Sequence, residues 1–174
     1  ASVEAPATPP ALPPQLLPAP ARREQVVVET DLARYLFDSR GALLRRVELL
    51  GFAGVGGGHV ELLGAVARGD TAAALGIDLE LPAGIFASGE APFALLNLPA
   101  GGTLRLRGSE TGQLEFRLQD AQGGVLVKRF SLRGDSYDIG LAVEADLQGG
   151  FAQTQALTVD WSAGLEVTEK NRKD

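Results

Sequence analysis

The chain has 174 residues, an apolar fraction of 45%, 22 glycines and a formal net charge of −6. This apolar fraction supports a folded core and excludes disorder throughout the chain. The acidic balance disfavours binding to nucleic acid and to anionic lipid surfaces. Cysteine and methionine are absent, the latter even at position 1. We therefore exclude disulfides and thiolate zinc sites, and we expect the sequence to be a processed or trimmed fragment.

The first segment, residues 1–21, is rich in proline and contains seven of the ten prolines of the chain. Proline fixes φ and removes a backbone donor, so neither a helix nor a sheet is expected here. The composition predicts an extended or disordered linker. A proline-rich ligand for a recognition domain is the alternative, although no basic anchor lies close to the prolines. No apolar run approaches the roughly 20 residues needed to cross a bilayer.

From residue 22 onwards we predict a single domain built from short strands. The strands predicted in its first half are 25–30, 33–38, 42–49, 59–63 and 77–81. Ser39-Arg40-Gly41 reads as the turn of a hairpin. The glycine-rich stretch 51–58 lacks a phosphate-binding motif and predicts a flexible connection. Residues 65–74 fit either a helical turn or a loop, and residues 85–98 are ambiguous.

The second half alternates more clearly between apolar and polar residues. Its predicted strands are 104–107, 114–118, 125–132, 137–147 and 156–161. Apolar residues from Tyr137 to Leu147 share one parity, which predicts a long strand with one face buried. Short strands with turn signals every 8 to 12 residues or so are typical of an antiparallel β-sandwich or barrel. We therefore predict an all-β sandwich with little helix.

The residues needed for catalysis are largely missing. His59 is the only histidine, and no GxSxG sequence supplies a nucleophile for it. Asp135 and Asp138 lie close together, but without the spacing of a calcium loop. A pair of distant carboxylates for glycoside chemistry stays open in principle, yet most acids occupy the polar parity of a strand. We predict no catalytic, metal or cofactor residue and no enzymatic activity, and the sequence does not identify a binding surface.

Several segments resemble, in the same order, the large periplasmic domain of the YidC-type membrane protein insertases. The segments are Val27-Val28-Glu29-Thr30-Asp31-Leu32, Leu36 to Leu49, Gly124 to Leu132, Gly134 to Ile139, and Trp161-Ser162-Ala163-Gly164-Leu165. The first two resemble the family's "v-x-T-D-x-l … i-d-x-x-G-G-x-i-x-x-l-x-L" run. The third resembles its "G-v-x-v-x-K-x-f-x-f" strand. In that family a linker follows the first membrane helix, which fits the proline-rich segment.

The resemblance implies a β-supersandwich on the periplasmic side of the bacterial inner membrane, with residues 22–174 as the domain and a C-terminal truncation left open. The parent would insert and fold inner-membrane proteins, alone or beside the Sec translocon. This domain would be an accessory interaction or scaffold module. Its partners would be the Sec translocon and its accessory subunits, or substrate membrane proteins. The alternatives are a carbohydrate-binding or mutarotase-like sandwich and an unrelated surface module such as an adhesin domain.

Overall fold

A computed structural model describes residues 14–18, 22–54, 57–63 and 73–161. The strands in this part are β1 Gln25–Glu29, β2 Ala33–Asp38, β3 Leu43–Ala53, β4 His59–Glu61, β5 Ala74–Leu81, β6 Gly84–Ala87, β7 Ala94–Leu95, β8 Thr103–Arg105, β9 Thr111–Gln119, β10 Val125–Arg133, β11 Gly140–Asp146 and β12 Ala156–Trp161. Short 3-10 turns occur at Ser88–Glu90, Ala100–Gly102 and Gly149–Phe151. Among the described residues, no helix has the length and hydropathy of a membrane span.

The described strands form two sheets that pack face to face. The larger has eight strands within the described residues, in the order β12-β5-β3-β2-β1-β8, with β4 beside β3 and β6 beside β5. The smaller has four strands within the same residues, in the order β11-β10-β9-β7. Most neighbours are antiparallel, whereas β1 and β8 pair in parallel. The prediction of an all-β sandwich is confirmed.

The core is built from the apolar parity of strands in both sheets. Phe37 on β2 meets Phe130 on β10, with ring centroids 4.8 Å apart. Phe116 on the adjacent strand β9 packs edge-on against Phe130 at 5.8 Å. All these rings are buried, as are Val26 and Val28 on β1. Strict alternation of the sequence places these apolar side chains in the core because every second side chain of a strand points to the same face.

The hairpin predicted around Ser39-Arg40-Gly41 joins β2 to β3, and it needs glycine at its tightest point. Gly41 has a φ of +76°, and a Cβ there would collide with the carbonyl group of Gly89. A side chain at this position would therefore be both strained and blocked. The turn thus sits tightly against the chain that follows β6.

Several predicted boundaries differ from the structure. Residues 51–53, predicted as part of a flexible connection, continue β3, which pairs with β4 across a register shift. The long strand predicted over residues 137–147 is shorter, because β11 covers Gly140–Asp146. The ambiguous stretch 85–98 contributes β6 and β7. Of the predicted helical turn or loop at 65–74, residues 65–72 lie outside the described residues, and Ala74 begins β5.

Residues 14–18 of the proline-rich segment lie along the end of β9. Leu16 forms a β-bridge with Asp120. The backbone amide of Gln15 donates to Asp120 Oδ1 at 2.8 Å, and the amide of Ala121 donates to the Gln15 carbonyl at 2.7 Å. This part of the segment is therefore extended and hydrogen bonded to the domain. Residues 1–13, 19–21 and 162–174 lie outside the described residues.

Candidate functional site

Strand β12 closes one edge of the larger sheet. It pairs antiparallel with β5 from Ala156 opposite Glu80 to Trp161 opposite Ala74, with a register shift next to Trp161. Within the described part of the chain, β12 has no partner on its other side. Edge strands leave a row of backbone donors and acceptors unpaired, and such a row can accept another strand. β12 therefore presents hydrogen-bonding backbone to its surroundings.

One face of β12 carries exposed apolar side chains, which we call the apolar strip: Leu157, Val159 and Trp161. Their exposed fractions are 41%, 49% and 50%. Leu157 lies opposite Leu79 and Val159 lies opposite Ile77, and both of these β5 residues are fully buried. Residues opposite one another in an antiparallel pair share a face of the sheet. The strip is thus a continuation of the core face beyond the cover of the smaller sheet.

The opposite face of the same edge is acidic. Asp160 on β12, together with Asp78 and Glu80 on β5, lies on the face away from the strip. Within the described residues these carboxylates form no ion pair. Arg45 lines the same shallow cavity as Asp78 and Asp160, but its Nε lies 4.0 Å from Asp38 Oδ2. The outer face at β12 therefore carries three carboxylates that form no ion pair within the described residues.

Several acids elsewhere on the domain form ion pairs with arginine. Glu29 receives Arg107 at 2.8 Å, and this hydrogen bond, aided by Arg34, holds the pKa of its carboxyl below the usual range despite partial burial. Glu115 receives Arg129 at 3.1 Å. Asp78, Glu80 and Asp160 differ from Glu29 and Glu115 because none of the three forms an ion pair with arginine within the described residues. This contrast distinguishes the β12 edge from the surface around Glu29 and Glu115.

Lys128 lies in the core, on β10, at zero exposure. Its Nζ donates to the backbone carbonyl oxygens of Gly41, Ala42 and Leu75 at 3.1, 2.6 and 2.5 Å. Ala42 and Leu75 have positive φ angles of 47° and 67°, a conformation that costs non-glycine residues free energy. Burial lowers the pKa of Lys128 to about 7. Because its donors are all directed at backbone, Lys128 ties the two sheets together and leaves no group for chemistry.

The residues considered for catalysis do not converge. His59 is exposed at the start of β4, opposite Ala53. Asp135 pairs with Arg133 at 2.5 Å, and Asp138 accepts a hydrogen bond from Ser136 Oγ at 2.9 Å. Across the described ranges, no group of three or more histidine, aspartate or glutamate side chains could hold a metal ion. A mutarotase-like arrangement of histidine and carboxylate around a groove finds no support in these positions.

The sequence alone does not identify the binding surface, but it predicts the strand that carries the apolar strip. A final strand was predicted over residues 156–161, and the structure places that strand at an edge of the larger sheet with Leu157, Val159 and Trp161 exposed. The parity of Leu126, Phe130 and Leu132 also places Lys128 on the buried face of β10, which we did not predict from the sequence. Neither the exposed strip on β12 nor the buried Lys128 on β10 can be interpreted without knowing how the two sheets pack against each other.

Comparison with known proteins identifies the family. No curated protein matches this chain. A family model described as the YidC periplasmic domain matches residues 25–172, which is most of the chain and begins at the first residue of β1. The chain therefore belongs to the YidC periplasmic domain family, and it is a periplasmic domain of a membrane protein insertase whose parent resides in the inner membrane.

Proposed function

We propose that this domain serves its insertase as an interaction or scaffold module, without catalytic activity of its own. The observation that carries the proposal is the apolar strip on β12, whose side chains are about half exposed on the core face of the sheet. Folded domains seldom leave neighbouring apolar side chains uncovered unless they meet another molecule. The edge backbone of β12, which has no partner among the strands that the structure describes, favours the same interpretation. The strip is thus the contact surface of the module.

The partners we propose are polypeptides handled by the parent insertase. They are substrate membrane proteins during insertion, or the Sec translocon and its accessory subunits. An acidic chain with a net charge of −6 is poorly suited to nucleic acid. Residues 22–174 act as the domain in this proposal, and residues 1–21 act as the linker that precedes it.

The test uses the full-length parent insertase with a photo-crosslinking amino acid in place of Val159. A membrane protein substrate of the insertase is stalled during insertion, and the crosslinked products are identified. The matched control carries the same crosslinker at Leu98, which is also an exposed apolar residue but lies far along the chain, before β8. We expect crosslinks to the substrate, or to a Sec subunit, from position 159 in clear excess over position 98. Equal yields at both positions would contradict the proposal.

A functional measurement accompanies the crosslinking. Leu157→Thr removes apolar surface from the strip while keeping a residue that favours strands. We expect this variant to lower the yield of inserted substrate or of co-purified Sec subunits, and the control Leu98→Thr to leave both unchanged. If Leu157→Thr and Leu98→Thr both behave like the wild type in both assays, the strip is not the working surface of the domain.

A further inference from the structure

We infer that the β12 edge accepts one kind of occupant: an extended polypeptide segment of alternating apolar and basic residues, which adds to the larger sheet as a further strand. This inference rests on the proposed function, and it specifies the chemistry of the partner at the same surface. The backbone of β12, the apolar strip and the acidic outer face each constrain a different property of the segment.

The backbone requires an extended conformation. β12 pairs with β5 on one side and has no described partner on the other. A segment that adds as a strand satisfies the unpaired donors and acceptors, and its side chains then alternate between the two faces of the sheet. Every second side chain of the added strand therefore lies beside the apolar strip. Apolar residues at those positions cover Val159 and its neighbours and remove their surface from water.

The remaining side chains of the added strand lie on the acidic face. They come next to Asp160, and one strand further in is Asp78, which is opposite Thr158. Adjacent strands lie about 4.8 Å apart, so lysine or arginine on the added strand reaches both carboxylates. Opposite charges on neighbouring strands stabilise a sheet, and like charges destabilise it. Charge complementarity thus selects basic residues at the outward positions.

The same charges disfavour a second copy of this chain as the occupant. Pairing β12 with β12 of another molecule would bring two sets of the carboxylates Asp78, Glu80 and Asp160 onto one continuous face. Each copy also carries a net charge of −6. A basic segment removes this repulsion, whereas a second copy doubles it. The partner is therefore a different polypeptide.

The chain contains its own reporter for this test. Trp161 is the only tryptophan in the sequence, and it is half exposed at the end of the strip. Strand addition at β12 buries the indole, so its emission maximum shifts to shorter wavelength. The probe is a synthetic ten-residue peptide of alternating valine and lysine, titrated into the full chain at low ionic strength. We expect a saturable blue shift.

Two control peptides separate the contributions. A valine–glutamate peptide of the same length retains the apolar face but reverses the charge, and we expect no saturable shift with it. A valine–lysine peptide with N-methyl groups at alternate residues loses the donors along one edge. Several backbone hydrogen bonds disappear with it, so binding should weaken by more than about tenfold. Equal affinity for the N-methylated peptide, or for the valine–glutamate peptide, would overturn the inference.

Variants of the protein locate the contact. Asp160→Asn should weaken binding of the valine–lysine peptide by roughly two- to fivefold, the range for one exposed ion pair. The matched control is Asp146→Asn, which removes one exposed carboxylate from β11, the edge strand of the other sheet. This control should leave the affinity unchanged at the same net charge. Equal weakening by both variants would show a general charge effect and would refute a site at β12.

The outcomes also distinguish this inference from the proposed function. If the peptide fails to bind while position 159 still crosslinks to substrate in the insertase, the strip contacts a partner in some other way and only the inference fails. If the crosslinks fail as well, the proposed function falls with it. A dimer of the free chain in sedimentation, lost on Val159→Asp, would assign the edge to a second copy and overturn the inference.

Discussion

Strands β10 and β12 share an alternating sequence pattern, but their apolar faces differ in burial. Both alternate strictly, and both direct apolar side chains to the core face of their sheet. On β10 the residues Leu126 and Phe130 are fully buried, whereas on β12 the strip is about half exposed. The difference lies in what faces them, because the apolar face of β10, in the smaller sheet, packs against the larger sheet, whereas the apolar face of β12 stays about half exposed. Alternation defines a face, and only the opposing layer decides whether that face is core or contact surface.

The largest loss of stability is expected at the centre of the region where the two sheets pack face to face, which we call the closed region. Phe130→Ala removes a buried ring that contacts Phe37 and Phe116 from the two sheets. A cavity of this kind lowers the free energy of unfolding by about 3–5 kcal/mol. The free energy of unfolding is measured by urea denaturation, with the fluorescence of Trp161 as the signal. A loss below about 1 kcal/mol would show that the two sheets are loosely packed even where they overlap.

Lys128 tests how strongly the closed region depends on a polar link. Lys128→Met keeps a long, flexible side chain but leaves the carbonyl groups of Gly41, Ala42 and Leu75 without the ammonium donors. We expect the free energy of unfolding to fall by about 1–3 kcal/mol at pH 7, the range for unsatisfied buried polar groups. A more stable methionine variant would mean that burying the charge costs more than its hydrogen bonds return.

The same lysine gives the stability a dependence on pH. Burial lowers the pKa of Lys128 from 10.5 to about 7 in the folded protein. Between these values the unfolded chain binds more protons than the folded one, so the free energy of unfolding rises as the pH rises from 7 towards 10.5. We expect the wild type to gain stability relative to Lys128→Met across this window in parallel urea titrations. A constant difference would show that the carbonyl acceptors hold Lys128 charged throughout.

The predicted strands agree with the structure because periodicity is a local property. The predicted strands 125–132 and 156–161 match β10 and β12 to within one residue, whereas the predicted strand 114–118 covers only the central part of β9. Alternation identified β9 and β10 because one face of each strand avoids water. The extension of β3 through Gly51 was missed because glycine has no side chain to register a period. The parallel pairing of β1 with β8 was missed because it joins segments more than 70 residues apart. No local pattern records such a contact.

The candidate site could not be predicted from the sequence for a related reason. Leu157 and Leu79 follow the same pattern in the same kind of strand, and yet one is exposed and the other is buried. Whether a strand lies at an edge depends on the order of strands in the sheet. Sequence order places β12 last, and it gives no indication that β5 is its neighbour. The acidity of the outer face follows only once Asp78 and Asp160 are known to be adjacent.

Asp120 links the closed region to the chain that leads to β12. This buried carboxylate accepts hydrogen bonds from the amides of Gln15, Gln122 and Gly150 at 2.8, 3.1 and 2.9 Å. Asp120→Ala leaves the buried Gly150 amide unpaired and should lower the free energy of unfolding by about 1–2 kcal/mol. Hydrogen exchange should quicken at Leu17, whose amide bonds to the Gln119 carbonyl at 3.1 Å. Unchanged exchange there would show that residues 14–18 are held independently of Asp120.

The smallest change in stability is expected for substitutions in the apolar strip, and a substitution there is therefore the sharpest test of the comparison between β10 and β12. Leu157→Thr should change the free energy of unfolding by no more than about 0.5 kcal/mol, as is usual for surface substitutions. The same change at Leu79, directly opposite on the same face, creates a cavity and buries a hydroxyl, so it should cost several times more. Equal costs at the two positions would mean that β12 is covered in solution. A small cost at 157 combined with lost partner binding would show that its apolar surface serves an interaction and contributes little to folding.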